Sequence, residues 1–436
     1  MTSIANMIKT GKRMTSTRCF LFLVATILSA HFCNAQFVVT VAGNSGQAGF
    51  VDGPGASARF SAPHGIACDH NGNIYIADRF NNSIRKINSS GTVSTFAGTG
   101  SVGGTDGPGS AASFYEPRAV ACDSSGNVYV ADTRNYKIRK ITPSGVVTTI
   151  AGTGTFGTTN GPALVSQFGF PTGICVTPDG TTIYVADHNT HVIRKIFNSQ
   201  VSDLAGIAYI AGSNDGNNST ATFSHPVGIH LDNNGNILVA DEWNNIIRQV
   251  SPLGNVVTIA GTGITGSADG PAATATFNYP EDVSTDNNGN IYITDGGNNT
   301  IRKINIGTAM VSTYAGTAGV VGSADGTGAA ASFNSAIGIS YSPFNHAIYI
   351  TDAGNETIRK IAGLSSVTLT LTTPAVNNTV CFGDSIVLNA TTSGFAAYNF
   401  MEGNQTSGSS VNGIVTIAHF HQVCIPSLVM HLTLTG

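Results

Sequence analysis

Three histidines are the side chains of this sequence best suited to holding a catalytic metal. His64, His188 and His230 are candidate zinc ligands, because a catalytic zinc needs three protein ligands and one open position. They occupy different positions of the repeated pattern described below, and no Cys-x-x-Cys or Cys/His metal spacing accompanies them. The pattern therefore favours histidines that are hydrogen-bonded in the core or in loops. Zinc, or calcium held by acids, stays open as an alternative cofactor, and we expect no other.

A second set of candidates comes from positions at which otherwise equivalent segments differ. The residue after a repeated Pro and the two residues after a repeated Asp vary in charge and size. Aromatic and arginine side chains are common anchors in binding interfaces. Ordinary variation of tolerant surface loops is the alternative explanation for each of them. The predicted ligand-binding residues are His64, Arg79, Phe80, Arg118, His188, Glu242, Trp243, Glu281 and Asp282.

Six copies of one pattern, spaced by 54 to 57 residues, position these candidates. Residues 74–78 recur as an apolar run that ends in Asp, and an Arg follows that Asp by seven residues in every copy. A Phe precedes the same Asp by 18 or 19 residues. Since each repeat must bury itself against its neighbours, we interpret residues found in all six copies as structural. The repeated acids are Asp78, Asp132, Asp187, Asp241, Asp295 and Asp352, and the repeated cations are Arg85, Arg139, Arg194, Arg248, Arg302 and Arg359.

Each copy has the composition of four short strands. Its apolar runs are rich in β-branched and aromatic residues, and Asn-Gly, Ser-Gly or Pro-Gly pairs separate them. No stretch keeps a helical period. Four strands in each of six copies predict an all-β fold, a six-bladed β-propeller, over residues 36–363.

Two segments could supply the outer strand of the last blade. Residues 38–43 end in Ala-Gly, as does the fourth strand of the other copies at residues 147–152. Residues 367–371 lie at the right distance after the sixth copy to fill the same place. We favour the N-terminal segment because it keeps the Ala-Gly signature. Its pairing would join the two ends of the ring and remove two open sheet edges.

The repeated motif also carries a family resemblance. Residues 60–66, 72–78 and 81–87 have the patterns Phe-x-x-Pro-His-Gly-Ile, Gly-Asn-Ile-Tyr-Ile-Ala-Asp and Asn-x-x-Ile-Arg-Lys-Ile. They resemble the NHL repeat, and the long glycine-rich loops are similar to those of exported bacterial NHL-repeat proteins. NHL propellers include amidating lyases that hold zinc in the channel through histidines, and six-bladed lactonases of other families use calcium. The resemblance therefore implies, as one alternative, a metal-dependent lyase or lactonase-type hydrolase with its site at the channel mouth.

The two ends of the chain differ from the repeats. Residues 1–35 contain basic residues, then an apolar run, then small residues before Gln36, which is the layout of a secretory signal peptide. Residues 364–436 lack the repeat motif and resemble part of an immunoglobulin-like module, although they are short for such a sandwich. This segment could be a truncated or partial β-sandwich. Cys381 and Cys424 are a candidate disulfide there, since export permits one.

Composition and charge limit the classes of partner. Only 10% of the residues are charged and 41% are hydrophobic, which argues against intrinsic disorder. Residues 36–436 carry 16 basic and 24 acidic groups and hence a net charge of −8. A protein of that sign has no general attraction for nucleic acid or anionic lipid. No segment after the signal peptide reaches transmembrane length.

These observations favour an exported binding scaffold without catalytic residues. We expect a monomer, secreted or at the cell surface, that engages an extracellular protein or carbohydrate through the loop face of the propeller. The metal-dependent enzyme is the first alternative. An architectural module of a larger cell-surface protein, with residues 364–436 as a connector, is the second.

Overall fold

The computed structural model describes residues 36–362 without a gap and, in the segment that follows, only a set of strands. The predicted signal peptide of residues 1–35 and the predicted pairing of Cys381 with Cys424 lie outside the described residues. Residues 36–363 form one compact unit. The later strands are Thr368–Thr372, Thr379–Val380, Ile386–Thr391, Tyr398–Glu402, Gln405–Ser410, Ile414–Ile417, Ile425–Pro426 and His431–Thr433.

The repeats fold as six antiparallel sheets, the blades of a β-propeller. Each inner strand begins at or near the repeated Pro and lines the central channel. The inner strands are Pro63–Cys68, Pro117–Cys122, Pro171–Val176, Pro226–Leu231, Pro280–Thr285 and Ala336–Ser342. The second strands are Ile74–Asp78, Val128–Asp132, Thr182–Asp187, Ile237–Asp241, Ile291–Asp295 and Ala347–Asp352. These second strands are buried along their whole length, which explains their continuous apolar runs.

The outer half of each blade contains the third and fourth strands. The third strands are mostly buried, whereas the fourth strands begin with alternating exposed and buried residues. The third strands are Ser83–Ile87, Lys137–Ile141, Val192–Phe197, Ile246–Val250, Thr300–Asn305 and Thr357–Ala362. The fourth strands are Thr92–Ala97, Val146–Ala151, Gln200–Ala205, Val256–Ala260, Met310–Ala315 and, for the sixth blade, Phe37–Gly43.

The N-terminal strand closes the ring, as its Ala-Gly signature predicted. Phe37–Gly43 pairs antiparallel with Thr357–Ala362, and Thr40 lies opposite Arg359. The competing strand, Thr368–Thr372, instead pairs with Ile386–Thr391 in a separate sheet. The blade that contains residues 336–362 is therefore completed by the first strand of the described chain.

Five of the six blades have one more strand than the sequence predicted. A two-residue strand pairs with the fourth strand at the outer edge, and it begins at the glycine of the repeated Asp-Gly or Asn-Gly pair. Blade four has only an isolated bridge, between Gly216 and Val256, at this place. The edge strands are Gly53–Pro54, Gly107–Pro108, Gly161–Pro162, Gly270–Pro271 and Gly326–Thr327.

The repeated Arg and Asp residues tie this outer edge to the blade. Arg85 Nη1 donates to Asp78 Oδ2 at 2.7 Å, and its Nη2 donates to Asp52 Oδ1 at 2.6 Å. Asp52 in turn accepts from the backbone and hydroxyl of Thr95 on the fourth strand. The Phe60 ring lies 5.1 Å from the Arg85 guanidinium carbon. Equivalent Arg–Asp pairs occur in all six blades, in agreement with a structural role.

Hydrophobic contacts between neighbouring blades form the core. Phe114, for example, is fully buried in one cluster with Tyr75 and Ala77 of blade one and Val128 and Val130 of blade two. Burying one such side chain contributes roughly 1.5–3 kcal/mol. The same position is fully buried in every blade, at Phe60, Phe114, Phe168, Phe223, Phe277 and Phe333.

Single-turn 3₁₀ helices follow the six second strands. They are Arg79–Asn81, Thr133–Asn135, His188–Thr190, Glu242–Asn244, Gly296–Asn298 and Ala353–Asn355. Three more occur in the outer loops, at Gly55–Ser57, Ala163–Val165 and Gly328–Ala330. In the part of the chain that the structure describes, no helix has the length and apolar character needed to cross a membrane.

A residue with left-handed backbone follows each of the six 3₁₀ helices that come after the second strands. At five of the six blade junctions, the side chain of this residue accepts a hydrogen bond from the next blade. Asn82 has φ = 47°, and its side-chain oxygen accepts the backbone N–H of Glu116, the residue before the next inner strand. His191 accepts from His225 in the same way. Equivalent bonds join Asn245 to Tyr279, Asn299 to Ser335 and Glu356 to Ala62. Within residues 36–362, only the junction of blades two and three lacks this bond.

Candidate binding site at the channel mouth

The beginnings of the inner strands and the 3₁₀ helices meet at one end of the channel. Pro63 pairs with Asp78, so the residues after each of them lie at the same end of the blade. Inner strands of all six blades line a cavity of about 560 Å³. Of the predicted site residues, His64, Arg118, His230, Glu281 and Asp282 lie in its wall. Arg79, Phe80, His188, Glu242 and Trp243 lie on the 3₁₀ helices around its mouth.

Arginines dominate the side of the mouth formed by blades one and two. Arg79 Nη2 lies 2.7 Å from Glu116 Oε2, and Arg134 Nε lies 3.5 Å from the other oxygen of that carboxylate. Burial opposes its ionisation, but the Arg79 contact holds the pKa of Glu116 below its usual value. Glu116 pairs with both of these arginines, and a third arginine, Arg118, lies beside them in the cavity wall. This half of the mouth has a positive balance.

Arg118 has no hydrogen-bond acceptor among the described residues. Its Nε is buried without a partner, and no carboxylate of residues 36–362 lies within 4 Å of its guanidinium. Its only specific contact is the Phe170 ring, 4.9 Å from the guanidinium carbon. Burial lowers the pKa of Arg118 to about 10, and repulsion from Arg79 contributes. The group is still charged at neutral pH and is presented to the cavity.

His64 adds a neutral polar group to this positive side. It is 6% exposed, and burial lowers its pKa well below the usual value, helped by the positive charges of Arg118 and Arg79. A neutral imidazole can donate from one ring nitrogen and accept at the other. His64 can therefore hydrogen-bond a ligand without adding to the charge.

Carboxylates dominate the opposite side of the mouth, on blades four and five. Burial, together with the nearby charges of Glu242 and Asp282, raises the pKa of Glu281 to about 8 against the opposing effect of Arg118. No residue of the described range donates a hydrogen bond to the Glu281 carboxylate. A Cβ at position 296 would lie 2.7 Å from Glu281 Cγ, so glycine there leaves room for this side chain.

Asp282 occupies a position that is glycine in four of the other inner strands, Gly65, Gly173, Gly228 and Gly338. Its carboxylate accepts from the backbone N–H groups of Ile339 and Val283, at 3.0 and 2.9 Å. Burial still raises its pKa to about 7. Asp282 therefore connects blades five and six through its hydrogen bonds and adds negative charge beside Glu281.

Aromatic rings form a row between the two charged sides. Phe170 lies 6.0 Å from His188, and His188 lies 4.6 Å from His225, between ring centroids. His225 stacks on Trp243 at 3.9 Å with an interplanar angle of 30°. His188 Nε2 also lies 3.3 Å from Glu242 Oε2. Trp243, the only tryptophan of the chain, is 57% exposed at the end of the row.

Two predicted residues stand apart from this cluster. His230 comes three residues further along its inner strand than the position equivalent to His64, about 10 Å at the rise of a strand. Its Nε2 lies 3.0 Å from Thr285 Oγ1, and burial lowers its pKa to about 4. Phe80 is 55% exposed, with the Arg79 guanidinium over its ring.

A shared metal site of His64, His188 and His230 is not assembled. In residues 36–362, no three His, Cys, Asp or Glu side chains lie close enough together to hold one metal ion. The histidine that does contact His188 is His225, and His191 lies 4.4 Å from His225 between ring centroids. Zinc or calcium binding stays an untested prediction.

Sequence reasoning missed Glu116 and Phe170, which immediately precede inner strands, and it considered His225, at the same position of blade four, only as a candidate zinc ligand. These positions vary among the six blades as strongly as those that follow the Pro: they are Ala62, Glu116, Phe170, His225, Tyr279 and Ser335. The same comparison of repeats, extended by one position, would have found them. Arg134 was missed because its role depends on Glu116.

The fold and the repeats define a six-bladed β-propeller that carries NHL repeats. The family model described as NHL repeat matches residues 114–141 and 277–304. The chain is 30% identical to Protein SUPPRESSOR OF QUENCHING 1, chloroplastic, from Arabidopsis thaliana, over 61% of this chain and 27% of that protein. It is 29% identical to NHL repeat-containing protein 2 from Homo sapiens, over 64% of this chain and 43% of that protein. The chain thus spans less than half of the length of these relatives.

The fold is also similar to that of a solved structure from a bacterium. The crystal structure of an auxiliary nutrient binding protein from Bacteroides thetaiotaomicron VPI-5482 matches with a TM-score of 0.58 and 16% identity. The match covers 75% of this chain and 76% of that one. At this identity the likeness concerns the fold alone.

Proposed function

We propose that this protein is an exported, non-catalytic binding scaffold that holds its ligand over the channel mouth. The observation that carries the proposal is the exposed indole of Trp243, which stacks on His225 and stands on the 3₁₀ helix of blade four, at the same end of the blade as the channel mouth. The indole itself lines a smaller cavity of about 280 Å³. Cavities of 300–1,000 Å³ are typical of small-ligand sites, and the channel cavity measures about 560 Å³. A rigid exposed aromatic group beside such a cavity is a typical binding anchor.

The mouth offers several kinds of contact within a small area. Trp243 provides an apolar face, Arg118 and Glu281 provide opposite charges, and His64 provides a neutral donor or acceptor. An extracellular protein or a carbohydrate could use all of these. The fold likeness to an auxiliary nutrient binding protein is consistent with a ligand-holding role. The exported bacterial type, the secreted or cell-surface location and the monomeric state belong to the same proposal.

The shape of the face gives the ligand a direction of approach. The helices of blades one to four present Arg79, Phe80, Arg134, His188 and Trp243. Those of blades five and six present only Gly296, Gly297, Ala353 and Gly354 at the equivalent places. Large side chains therefore surround the mouth on blades one to four, whereas blades five and six present only small ones. We expect a ligand to enter over blades five and six.

The proposal is tested with oligosaccharide and peptide arrays, using the full chain and two single variants. Trp243→Ala removes the exposed indole. Phe344→Ala is the matched control, because Phe344 is 55% exposed in the turn between Ala336–Ser342 and Ala347–Asp352, at the other end of its blade. We expect the wild type and Phe344→Ala to bind the same probes and Trp243→Ala to lose them. Array binding that survives Trp243→Ala, or no binding by the wild type, would overturn the proposal.

A further inference from the structure

We infer that the ligand class is a short zwitterionic peptide, with its carboxylate bound by Arg118 and its ammonium group bound by Glu281 and Glu242. The inference rests on the proposed binding function and names the chemistry of the ligand. It follows from two charged walls that face each other across one cavity and that the protein does not neutralise.

The positive wall lacks an acceptor that a ligand carboxylate would supply. A buried donor without a partner costs free energy, and a charged one costs more than a neutral one. Arg118 has no acceptor within residues 36–362. The Nε of Arg85 is likewise without a partner, but its two Nη groups donate to two carboxylates and two backbone carbonyls. An arginine can bind a carboxylate through two parallel hydrogen bonds, so a terminal carboxylate matches the free guanidinium.

The negative wall lacks a cation. Glu281 lies close enough to Glu242 and Asp282 for each of them to raise its pKa. Within residues 36–362, the partner of the Glu242 carboxylate is His188, and the Asp282 carboxylate accepts from backbone N–H groups alone. A ligand ammonium group would relieve the repulsion among the three acids, since an opposite charge nearby favours the ionised form of a carboxylate.

The two walls are on opposite sides of the ring. Arg118 and Glu281 hold the same position in blades two and five, which are three blades apart in a ring of six. They lie within electrostatic influence of each other but do not form an ion pair. Thr172, Val227, Ile337 and His64 occupy the same position in the four blades between them. A ligand that spans the mouth therefore meets a positive end, a middle of two apolar and two neutral polar side chains, and an acidic end.

This arrangement disfavours ligands of a single charge. A purely anionic ligand would bring no cation to the acids of blades four and five, and the arginines repel a purely cationic one. A short peptide in the zwitterionic form satisfies both walls, and its side chains can pack on Phe170 and Trp243. An uncharged sugar would leave both walls unpaired.

The test is isothermal titration of the full chain with trialanine, N-acetyl-trialanine and trialanine amide. For the wild type, we expect blocking either end of the peptide to weaken binding at least tenfold. Acetylation should have little further effect on Glu281→Gln, and amidation should have little further effect on Arg118→Met. Arg118→Lys, which keeps the charge, should retain part of the affinity even if Arg118→Met is poorly folded. Arg59→Met is the control, because Arg59 binds Gln47 and backbone carbonyls of its own loop.

Proton release is a second readout. The groups that face Glu281 are Glu242, Asp282 and Arg118. With a pKa of about 8, Glu281 is largely protonated at pH 7, and an arriving ammonium group should displace that proton. The binding enthalpy at pH 7 should then depend on the ionisation enthalpy of the buffer for the wild type and not for Glu281→Gln.

The outcomes separate this inference from the proposed function. Equal binding of the free and the blocked peptides would overturn the peptide inference. So would the absence of trialanine binding at millimolar concentration together with Trp243-dependent binding on an oligosaccharide array, which would leave the binding function standing. If the wild type bound neither trialanine nor any array probe in a way that depends on Trp243, both the peptide inference and the proposed binding function would be overturned.

Discussion

Arg139 and Asp132 form an ion pair that is fully shielded from solvent inside blade two. Arg139 Nη1 lies 2.7 Å from Asp132 Oδ2, and both side chains are 0% exposed. Arg139 also reaches Asp106 at the edge of the blade, where the carboxylate is 45% exposed. One guanidinium therefore joins the buried second strand to the outer edge of the blade. The repeated Arg makes an equivalent connection in each of the six blades, through Asn160 in blade three and through an Asp in the others.

Replacement of Arg139 by Met should strongly destabilise the propeller. It leaves the Asp132 carboxylate buried without its cation, and breaking a buried pair in this way costs about 3–5 kcal/mol. Urea denaturation of the full chain, followed by circular dichroism, measures the loss. Asp106→Asn is the control and should cost about 1 kcal/mol, because its partner keeps the buried contact. A stability of Arg139→Met within 1 kcal/mol of the wild type would contradict this role of the pair.

Replacement of Gly173 by Ala should also be destabilising, for a steric reason. A Cβ at this position would overlap the backbone carbonyl oxygen of Val227 in the next inner strand. The strands would have to separate, and such overpacking typically costs about 1–3 kcal/mol. Gly104→Ala is the comparison, because the added Cβ would lie 3.4 Å from the Asn135 side chain, an ordinary contact. Equal denaturation midpoints for the two variants would show that the inner strands are not closely packed there.

The fluorescence of Trp243 should report the protonation of His225, since the two rings are stacked. Burial and the neighbouring His188 and His191 together lower the pKa of His225 to about 4. We expect a change of emission with a midpoint near pH 4, absent from His225→Gln. A midpoint near the unperturbed value of about 6.5 would show that the ring is solvated.

The same histidine gives the sign of a stability change with pH. Because its pKa is lower in the folded protein than in the unfolded chain, the unfolded chain binds more protons between these two values. The contribution of His225 is therefore complete above about pH 6.5 and is lost as the pH falls towards 4. Urea titrations at pH 7 and pH 5 should show a smaller loss of stability for His225→Gln than for the wild type.

Metal addition distinguishes the binding scaffold from the metal-dependent alternative. A metal at a hundred times its dissociation constant would stabilise the folded protein by ~2.7 kcal/mol. On the binding-scaffold proposal, the thermal midpoint of the full chain should be the same as purified, with EDTA, and with Ca²⁺ or Zn²⁺. A clear rise with either ion would favour the lyase or lactonase alternative, and His64→Ala and His188→Ala would then show which side chains hold it.

The repeats explain why the fold could be predicted from sequence. Six copies fix the positions of the turns, and the Ala-Gly ending of residues 38–43 identified the strand that closes the ring. The edge strands were missed because Gly53–Pro54 and its equivalents are too short to show a period of two. Their pairing depends on Asp52 and Arg85, which are 33 residues apart in the sequence.

The site could be predicted only in part, because its contacts cross blade boundaries. Divergence among the repeats indicated Arg118 and Glu281, which the structure places in the wall of one cavity, and Trp243, which lies on the 3₁₀ helix of blade four at the same end of the ring. It could not show that Phe170 lies under Arg118, since that contact depends on how blades two and three pack. The repeat pattern did place His230 in the middle of its strand, at the position of Ala67 and Ala121 in other repeats, and the structure shows its contact with Thr285 there.

Closure by Phe37–Gly43 has a consequence for synthesis on the ribosome. This strand is translated among the first of the described residues, yet its partner Thr357–Ala362 is among the last. At 5–20 residues per second, the two are separated by on the order of tens of seconds. During this interval the first strand has no place in the ring, and the sixth sheet cannot be completed. The ring therefore cannot close until residues 357–362 have been synthesised, which gives a cellular factor time to engage the nascent chain while it is still open.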